Sequence, residues 1–168
     1  HKDAYPSSPV WVGTDFILSN GETMISINEA TMEHLEQVQR IARSHKNELG
    51  FVMRVSLERA IAKCELTVIE VFGDGVVAFA NWHKRRDGWV TVYEIAVDKS
   101  YNRMGFGTML LDCLEKPLRL KCTTDNTVAN MFYEGYGFTL ARVENGRKRQ
   151  LNVWECARTV EKIGEAYE

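Results

Sequence analysis

A chain of 168 residues, 45% hydrophobic and 26% charged, has the length and composition of one globular domain with a single well-buried core. Its formal net charge of −2 argues against a generally basic nucleic-acid binder, and no apolar run approaches the roughly 20 residues that span a bilayer. The four cysteines, Cys64, Cys113, Cys122 and Cys156, form no CxxC pair, so metal-ligand spacing is absent and reduced thiols in a cytoplasmic protein are expected.

The start, His1 to Ser8, is polar and lacks the apolar core of a signal peptide; with no initiator Met it reads as a trimmed or extended N-terminus. The prolines and serines from Pro6 to Pro9 suggest an extended arm over residues 1–22, where Val10-Trp11-Val12 and Phe16-Ile17-Leu18 are apolar enough to lie on another surface. Asn20-Gly21 marks a turn, and Thr23 to Asn28 alternates as a first strand. Leu35, Val38, Ala42 and His45 repeat at helical spacing, which predicts a helix from about Met32 to His45. Asn28 or Thr31 can cap it, Thr31 without the acid that a strict capping box would place three residues on. Asn47 to Gly50 is expected to break that helix, and a second one follows from Ser56 to Cys64. Leu66 to Phe72 and Val76 to Trp82 read as a hairpin about Gly73-Asp74-Gly75, and Trp89 to Val97 completes a three-stranded meander.

The polar loop after that strand, Asp98 to Thr108, contains Gly105-Phe106-Gly107 and leads into a helix predicted from Met109 to Lys116, ended by Pro117. A strand, a glycine loop and a helix start together make a phosphate site, because free N–H groups at a helix N-terminus point at the anion and the helix dipole favours negative charge. The loop is not a P-loop, since no Gly-Lys-Ser/Thr follows. It is not a dinucleotide fingerprint either, since a third glycine is missing and the strand belongs to an antiparallel meander. Leu118 to Cys122 is a short strand, and Asp125 or Asn126 caps a helix to about Gly135. Phe138 to Val143 and Arg147 to Glu155 form a last hairpin with Asn145-Gly146 as its two-residue turn. Val160, Ile163 and Tyr167 allow a terminal helix in the tail, residues 156–168. The order predicts an α/β (α+β) fold, a mixed sheet with helices on both faces.

These motifs resemble the GNAT superfamily of acetyl-coenzyme A-dependent N-acetyltransferases. The family's loop pattern, Gln/Arg-x-x-Gly-x-Gly/Ala, reads here Asn102-Arg103-Met104-Gly105-Phe106-Gly107, with Asn in the first position and Arg103 one place late. A second pattern, Asn-x-x-Ala-x-x-Phe-Tyr-x-x-x-Gly-Phe, is complete as Asn126, Ala129, Phe132, Tyr133, Gly137 and Phe138. The resemblance covers Thr23 to Trp154. It implies a mostly antiparallel GNAT sheet over residues 23–155, and acetyl-CoA as co-substrate. It also implies pyrophosphate binding by the backbone from Asn102 through Thr108, and a splayed strand whose backbone at Glu94, Ile95, Ala96 and Val97 pairs with the pantetheine arm. Asn126, Ala129, Phe132 and Tyr133 join the cofactor side, with Tyr133 at the family's general-acid position.

Glu94 is the leading candidate for the general base. It is expected to share a strand face with Val90, Val92 and Ala96 and so to be partly buried, which raises a carboxyl pKa toward the range useful for deprotonating an ammonium. A water chain is the other route for that proton. His34, His45 and His83 read first as surface or core filler, with His83 ahead because it lies on the meander, and Cys122 as a buried thiol. Lys84-Arg85-Arg86 and Arg147-Lys148-Arg149, with Arg142 nearby, read as solvated turns or as binders of the coenzyme's 3′-phosphate or an acidic acceptor. The function these readings support is acetyl transfer from acetyl-CoA to a primary amine of a small molecule or protein. A phage-type nucleic-acid-modifying acyltransferase and a non-catalytic CoA-binding module are the alternatives. The acceptor pocket is expected from the two N-terminal helices, the Asn47-to-Arg54 connection and the final hairpin. The arm or tail offers a surface for a homodimer.

Overall fold

The computed structural model describes residues 10–12, 15–17 and 23–157. Its strands are β1 (Val10–Val12), β2 (Asp15–Ile17), β3 (Thr23–Glu29), β4 (Leu66–Val71), β5 (Gly75–Lys84), β6 (Val90–Val97), β7 (Leu118–Thr123), β8 (Thr139–Asn145) and β9 (Gln150–Cys156). The helices are α1 (Leu35–Ser44), α2 (Lys46–Leu49), α3 (Arg54–Ala62), α4 (Phe106–Cys113) and α5 (Thr127–Tyr136), with 3-10 turns at Met32–His34 and Lys99–Tyr101. One sheet holds all nine described strands in the order β1-β2-β3-β4-β5-β6-β7-β9-β8. Only β6 and β7 run parallel, so the sheet is mixed and mostly antiparallel, as the sequence predicts. The apolar segments of the expected arm, 10–12 and 15–17, extend the sheet beyond β3. The expected terminal helix lies outside the described residues.

Two cores flank the sheet. On one face α1 and α3 bury Leu35, Val38, Ile41 and Leu57 against Leu66, Val68 and Phe79. On the other, α4 and α5 bury Phe106, Leu110, Leu111 and Tyr133 against Val90, Val92, Leu118 and Leu120. Each fully buried Leu or Phe contributes about 1.5–3 kcal/mol over an exposed one, so these two clusters hold the sheet's centre rigid around the β6–β7 junction.

The local differences from expectation have identifiable causes. The first helix ends one residue early, and Lys46–Leu49 forms a further short turn of helix where a break was expected. His45 sits at that joint with φ −107 and ψ 27, and Gly50 then turns the chain with φ 71. The capping box at Thr31 is completed by a histidine: Thr31 N–H donates to His34 Nδ1 at 2.9 Å. An accepting Nδ1 leaves the proton on Nε2, which lies 2.8 Å from Glu70 Oε1. His34 is therefore accounted for by structure. Helix α4 begins at Phe106 and ends at Cys113, three residues earlier at each end than expected, so Pro117 does not terminate it. The last hairpin turns on Arg147-Lys148, not on Asn145-Gly146: Asn145 pairs with Gln150, and Gly146 N–H donates to Arg149 O at 2.8 Å. A Cβ on Gly146 would lie 2.6 Å from that carbonyl oxygen, so glycine is required there by close approach.

Candidate active site

The strand that leads into the glycine loop is paired unequally. On the β5 side its ladder runs from Lys84↔Val90 to Ala78↔Val97. On the β7 side it holds only Val90↔Leu118, Thr91↔Arg119 and Val92↔Leu120. Beyond Val92 the two parallel strands part, and Lys121 to Thr123 pair with β9 alone. The residues next to the gap follow from ladder alternation. Asp98 N–H donates to Val77 O at 2.7 Å, which makes the Ala96 and Glu94 pairs the hydrogen-bonded ones toward β5. Ile95 and Val97 therefore turn their backbone groups into the gap, whereas the backbone of Ala96 is spent on β5 and its side chain is buried in the α1/α3 core. One of the gap-facing groups is already engaged: His45 Nε2 lies 2.6 Å from Val97 O. A carbonyl only accepts, so that nitrogen donates, and the end of α1 is tied to the mouth of the gap.

A bulge decides which face Glu94 occupies. Asn81 pairs with Glu94 but Trp82 pairs with Val92, so Tyr93 is an extra residue on β6. The extra residue reverses the alternation. Val90 and Val92 face the α4/α5 core, while Glu94 joins Ala96 and Phe79 on the α1/α3 side. The expectation that Glu94 shares a face with Val90, Val92 and Ala96 is thus right for Ala96 alone. Glu94 is half-buried there, and Asn81 Nδ2 donates to its Oε2 at 2.6 Å. Burial pushes the carboxyl above its ordinary range, and the Asn81 amide partly offsets this. Asn81 is itself 3% exposed; no sequence signal marks it, because its importance comes from strand register.

Tyr133 approaches the same gap from the opposite face. It is buried on α5 between the rings of Phe132 and Phe138, at centroid distances of 5.5 and 5.6 Å. Burial, and secondarily Cys122 on β7, push the phenol well above its ordinary value. Cys122 is raised by burial to about 11, which keeps it a thiol rather than a nucleophile. Asn126 caps α5 through its side-chain oxygen, which accepts from Ala129 N–H at 3.2 Å. Asn130, which the sequence reading passed over, donates to Thr123 O and Asn126 O and accepts from Asn152 and the Trp154 indole. It binds the start of α5 to β7 and β9, and so fixes where Tyr133 stands.

The glycine loop has the backbone of an anion cradle. Arg103 and Gly105 have φ of 63 and 84, left-handed values separated by one residue. Such alternation turns successive N–H groups inward, and glycine adopts it without the strain that a Cβ would add. The first-turn amides of Phe106, Gly107 and Thr108 lack helical partners and continue the same concave surface. The side chains of Asn102, Arg103, Met104 and Thr108 are exposed, whereas Phe106 is buried and anchors the helix. Gly107 serves packing as well: a Cβ there would come within 3.1 Å of the Phe132 ring. Two of the basic residues singled out by sequence are engaged elsewhere, Lys84 with Glu115 at 2.9 Å and Arg142 with Glu144 at 2.8 Å.

Residues 61–140 match the family described as the acetyltransferase (GNAT) domain. The chain carries a GNAT acetyltransferase domain. As such it is an acyltransferase. Solved structures share the fold. The Ard1 protein of Thermoplasma volcanium superposes with a TM-score of 0.71 at 24% identity, over 82% of this chain and 99% of that one. The ribosomal-protein-S18-alanine N-acetyltransferase of Escherichia coli gives 0.68 at 20% identity, over 83% and 97%. Arabidopsis thaliana Naa50, in complex with the bisubstrate analogue CoA-Ac-MVNAL, gives 0.61 at 20% identity, over 80% and 99%. The chain matches no curated protein. Among the described residues of the GNAT fold no helix is long and apolar enough to cross a membrane.

Proposed function

We propose that this GNAT domain is an N-acetyltransferase that moves the acetyl group of acetyl-CoA to a primary amine in a cytoplasmic setting. The observation that carries the reading is the opening of β6 from β7 between two proton-handling groups, Glu94 on one face and Tyr133 on the other. The residues present suit acetyl-CoA. The amides from Arg103 to Thr108 offer a cradle for its pyrophosphate, and the gap-facing backbone of Ile95 with the N–H of Val97 offers hydrogen bonds to an amide-bearing arm. Ala129 and Phe132 line the α5 side. When bound, acetyl-CoA supplies the thioester carbonyl that an amine attacks.

The chain's own groups then divide the work by face. On the α1/α3 face Glu94, with its carboxyl raised by burial, takes a proton from the incoming ammonium. On the α4/α5 face the Tyr133 phenol, protonated at neutral pH as any phenol is, gives a proton to the departing sulfur. The acceptor therefore approaches from the side of α1 to α3, where Phe51, Met53 and Val55 expose apolar surface on the connection that begins at His45. That surface suits the first side chains of a peptide, and the acceptors named for two of the neighbours, an S18 alanine and an MVNAL peptide, make protein N-termini the first amines to test.

The testing experiment is a thermal melt with acetyl-CoA, ATP or NAD, followed by a thiol-release assay over a panel of amines and peptides. A ligand at about 100 times its Kd adds about 2.7 kcal/mol of stability, so a shift with acetyl-CoA alone and amine-dependent thiol release are expected. No shift with acetyl-CoA would remove the reading.

A further inference from the structure

A polar row crosses the α1/α3 face beside Glu94, and the chemistry above leaves it unused. Strand register places His83 beside Thr91, Thr91 beside Arg119, and Arg119 beside Glu155. Asn81 and His83 are two residues apart on β5, and Thr91 and Glu94 flank the Tyr93 bulge on β6, so all four project from one face. Glu65, just before β4, is 9% exposed, and its two carboxylate oxygens lie 3.0 and 2.9 Å from His83 Nδ1. The same carboxylate accepts the Lys84 N–H at 2.8 Å. An ionised carboxylate only accepts, so Nδ1–H is the donor and Nε2 is left as the open nitrogen of the imidazole. The His83 side chain is 40% exposed and so reaches solvent. Thr91 Oγ1, between His83 and Glu94 on this face, is buried without a hydrogen-bond partner among the described residues. A buried hydroxyl of that kind is where a bridging water is held.

The stoichiometry of N-acetylation requires an outlet. An ammonium carries three protons and the amide product one; of the two released, one ends on the sulfur of CoA and the other must reach solvent. We propose that His83, oriented by Glu65, is the relay that carries this proton away from Glu94 by way of a water on Thr91. The inference rests on Glu94 acting as the base. Glu94 accepts the proton from the ammonium, passes it through the water to His83 Nε2, and the ring releases it to bulk solvent, returning both groups to their starting state. Glu65 is a positioning residue that fixes the tautomer. The other charged groups on this face are engaged, Arg119 by Glu155 at 2.7 Å and Glu94 by Asn81, whereas Lys84, paired with Val90, projects from the opposite face and meets Glu115. A purely structural His83–Glu65 pair would need neither an open Nε2 nor the unpartnered hydroxyl beside it.

The test is thiol release by the wild-type protein, Glu94→Gln, His83→Ala and Thr91→Val, with and without added imidazole, beside thermal melts with acetyl-CoA. His83→Ala is expected to lower kcat by about 10²-fold, to recover with rising imidazole concentration, and to keep the wild-type melting shift with acetyl-CoA. Thr91→Val, which keeps the side chain's shape, is expected to lower kcat in the same direction and carries the test should His83→Ala fail to fold. Wild-type kcat in both His83→Ala and Thr91→Val, alongside loss in Glu94→Gln, would overturn the relay and leave the base standing. Loss in a folded His83→Ala that imidazole does not restore would also overturn it. A wild-type protein that acetylates no amine would bring down the function proposed above and the relay with it.

Discussion

From Val90 to Val92, β6 is laddered to β5 on one side and to β7 on the other; from Glu94 to Val97 it is laddered to β5 alone. The closed half buries Val90 and Val92 at 1% and 4% exposure in the α4/α5 core. The open half keeps Glu94, Ile95 and Val97 only partly covered and turns backbone groups of Ile95 and Val97 into a gap. The difference teaches that one β-rich segment serves two purposes by changing partners half-way. The closed half fixes the strand's position, and the open half presents hydrogen-bonding groups at no further cost in core packing. The Tyr93 bulge sits at the division and moves Glu94 onto the face opposite Tyr133.

The sharpest way to test that division is at the open half, where the loss should be catalytic. Tyr133→Phe keeps the buried ring and removes the proton donor, so kcat should fall by about 10²–10⁴ while the melting shift with acetyl-CoA persists; a wild-type kcat would assign Tyr133 to packing alone. Glu94→Gln comes next, with an expected loss of about 10² in kcat/KM. In the wild-type protein kcat/KM should rise as pH passes upward through the raised carboxyl, and Glu94→Gln should flatten that limb. The sign for stability is the reverse of that for activity. A carboxyl whose folded pKa is raised contributes stability below its unfolded value and loses it as pH rises through the folded one. Near neutral pH Glu94→Gln should therefore melt higher than wild type while working less well, which scanning calorimetry on both proteins would check.

Matched truncations compare the halves directly. Val92→Ala should cost about 2 kcal/mol by urea unfolding and Val97→Ala clearly less, since Val92 is buried and Val97 only partly so; equal costs would erase the structural distinction. The smallest expected effect is at the far wall of the gap. Asn126→Ala removes the cap of α5 and should cost about 1 kcal/mol; a larger fall in acetyl-CoA affinity than in stability would give Asn126 a direct part in binding as well.

Much of this was legible before any coordinates. The hairpin about Gly73-Asp74-Gly75, the glycine loop after a strand and the Asn126-to-Phe138 pattern were placed correctly because each depends on local backbone demands or on residues close in sequence. The start of α4 was missed because Gly105-Phe106-Gly107 reads as loop by propensity, yet Phe106 is pulled into the helix by burial of its ring at 2% exposure. The last turn was misplaced because Asn145-Gly146 is a strong turn dipeptide, whereas the glycine meets the Arg149 carbonyl instead.

Sequence by itself determined which groups are available: two half-cores of apolar residues, a run of backbone able to cradle an anion, a tyrosine, a glutamate and a histidine on the meander. Their periodicity and turn residues act over a few positions, so they are written locally. Tertiary structure alone decided which groups meet. The parting of β6 from β7, the bulge that sends Glu94 to Asn81, the closure of Glu65 on His83 and the tie from His45 to Val97 all join residues at least 13 positions apart, by strand register and burial. Register is a collective property of paired strands, in which one inserted residue reverses the faces of everything beyond it, and no local pattern in β6 encodes where that residue falls.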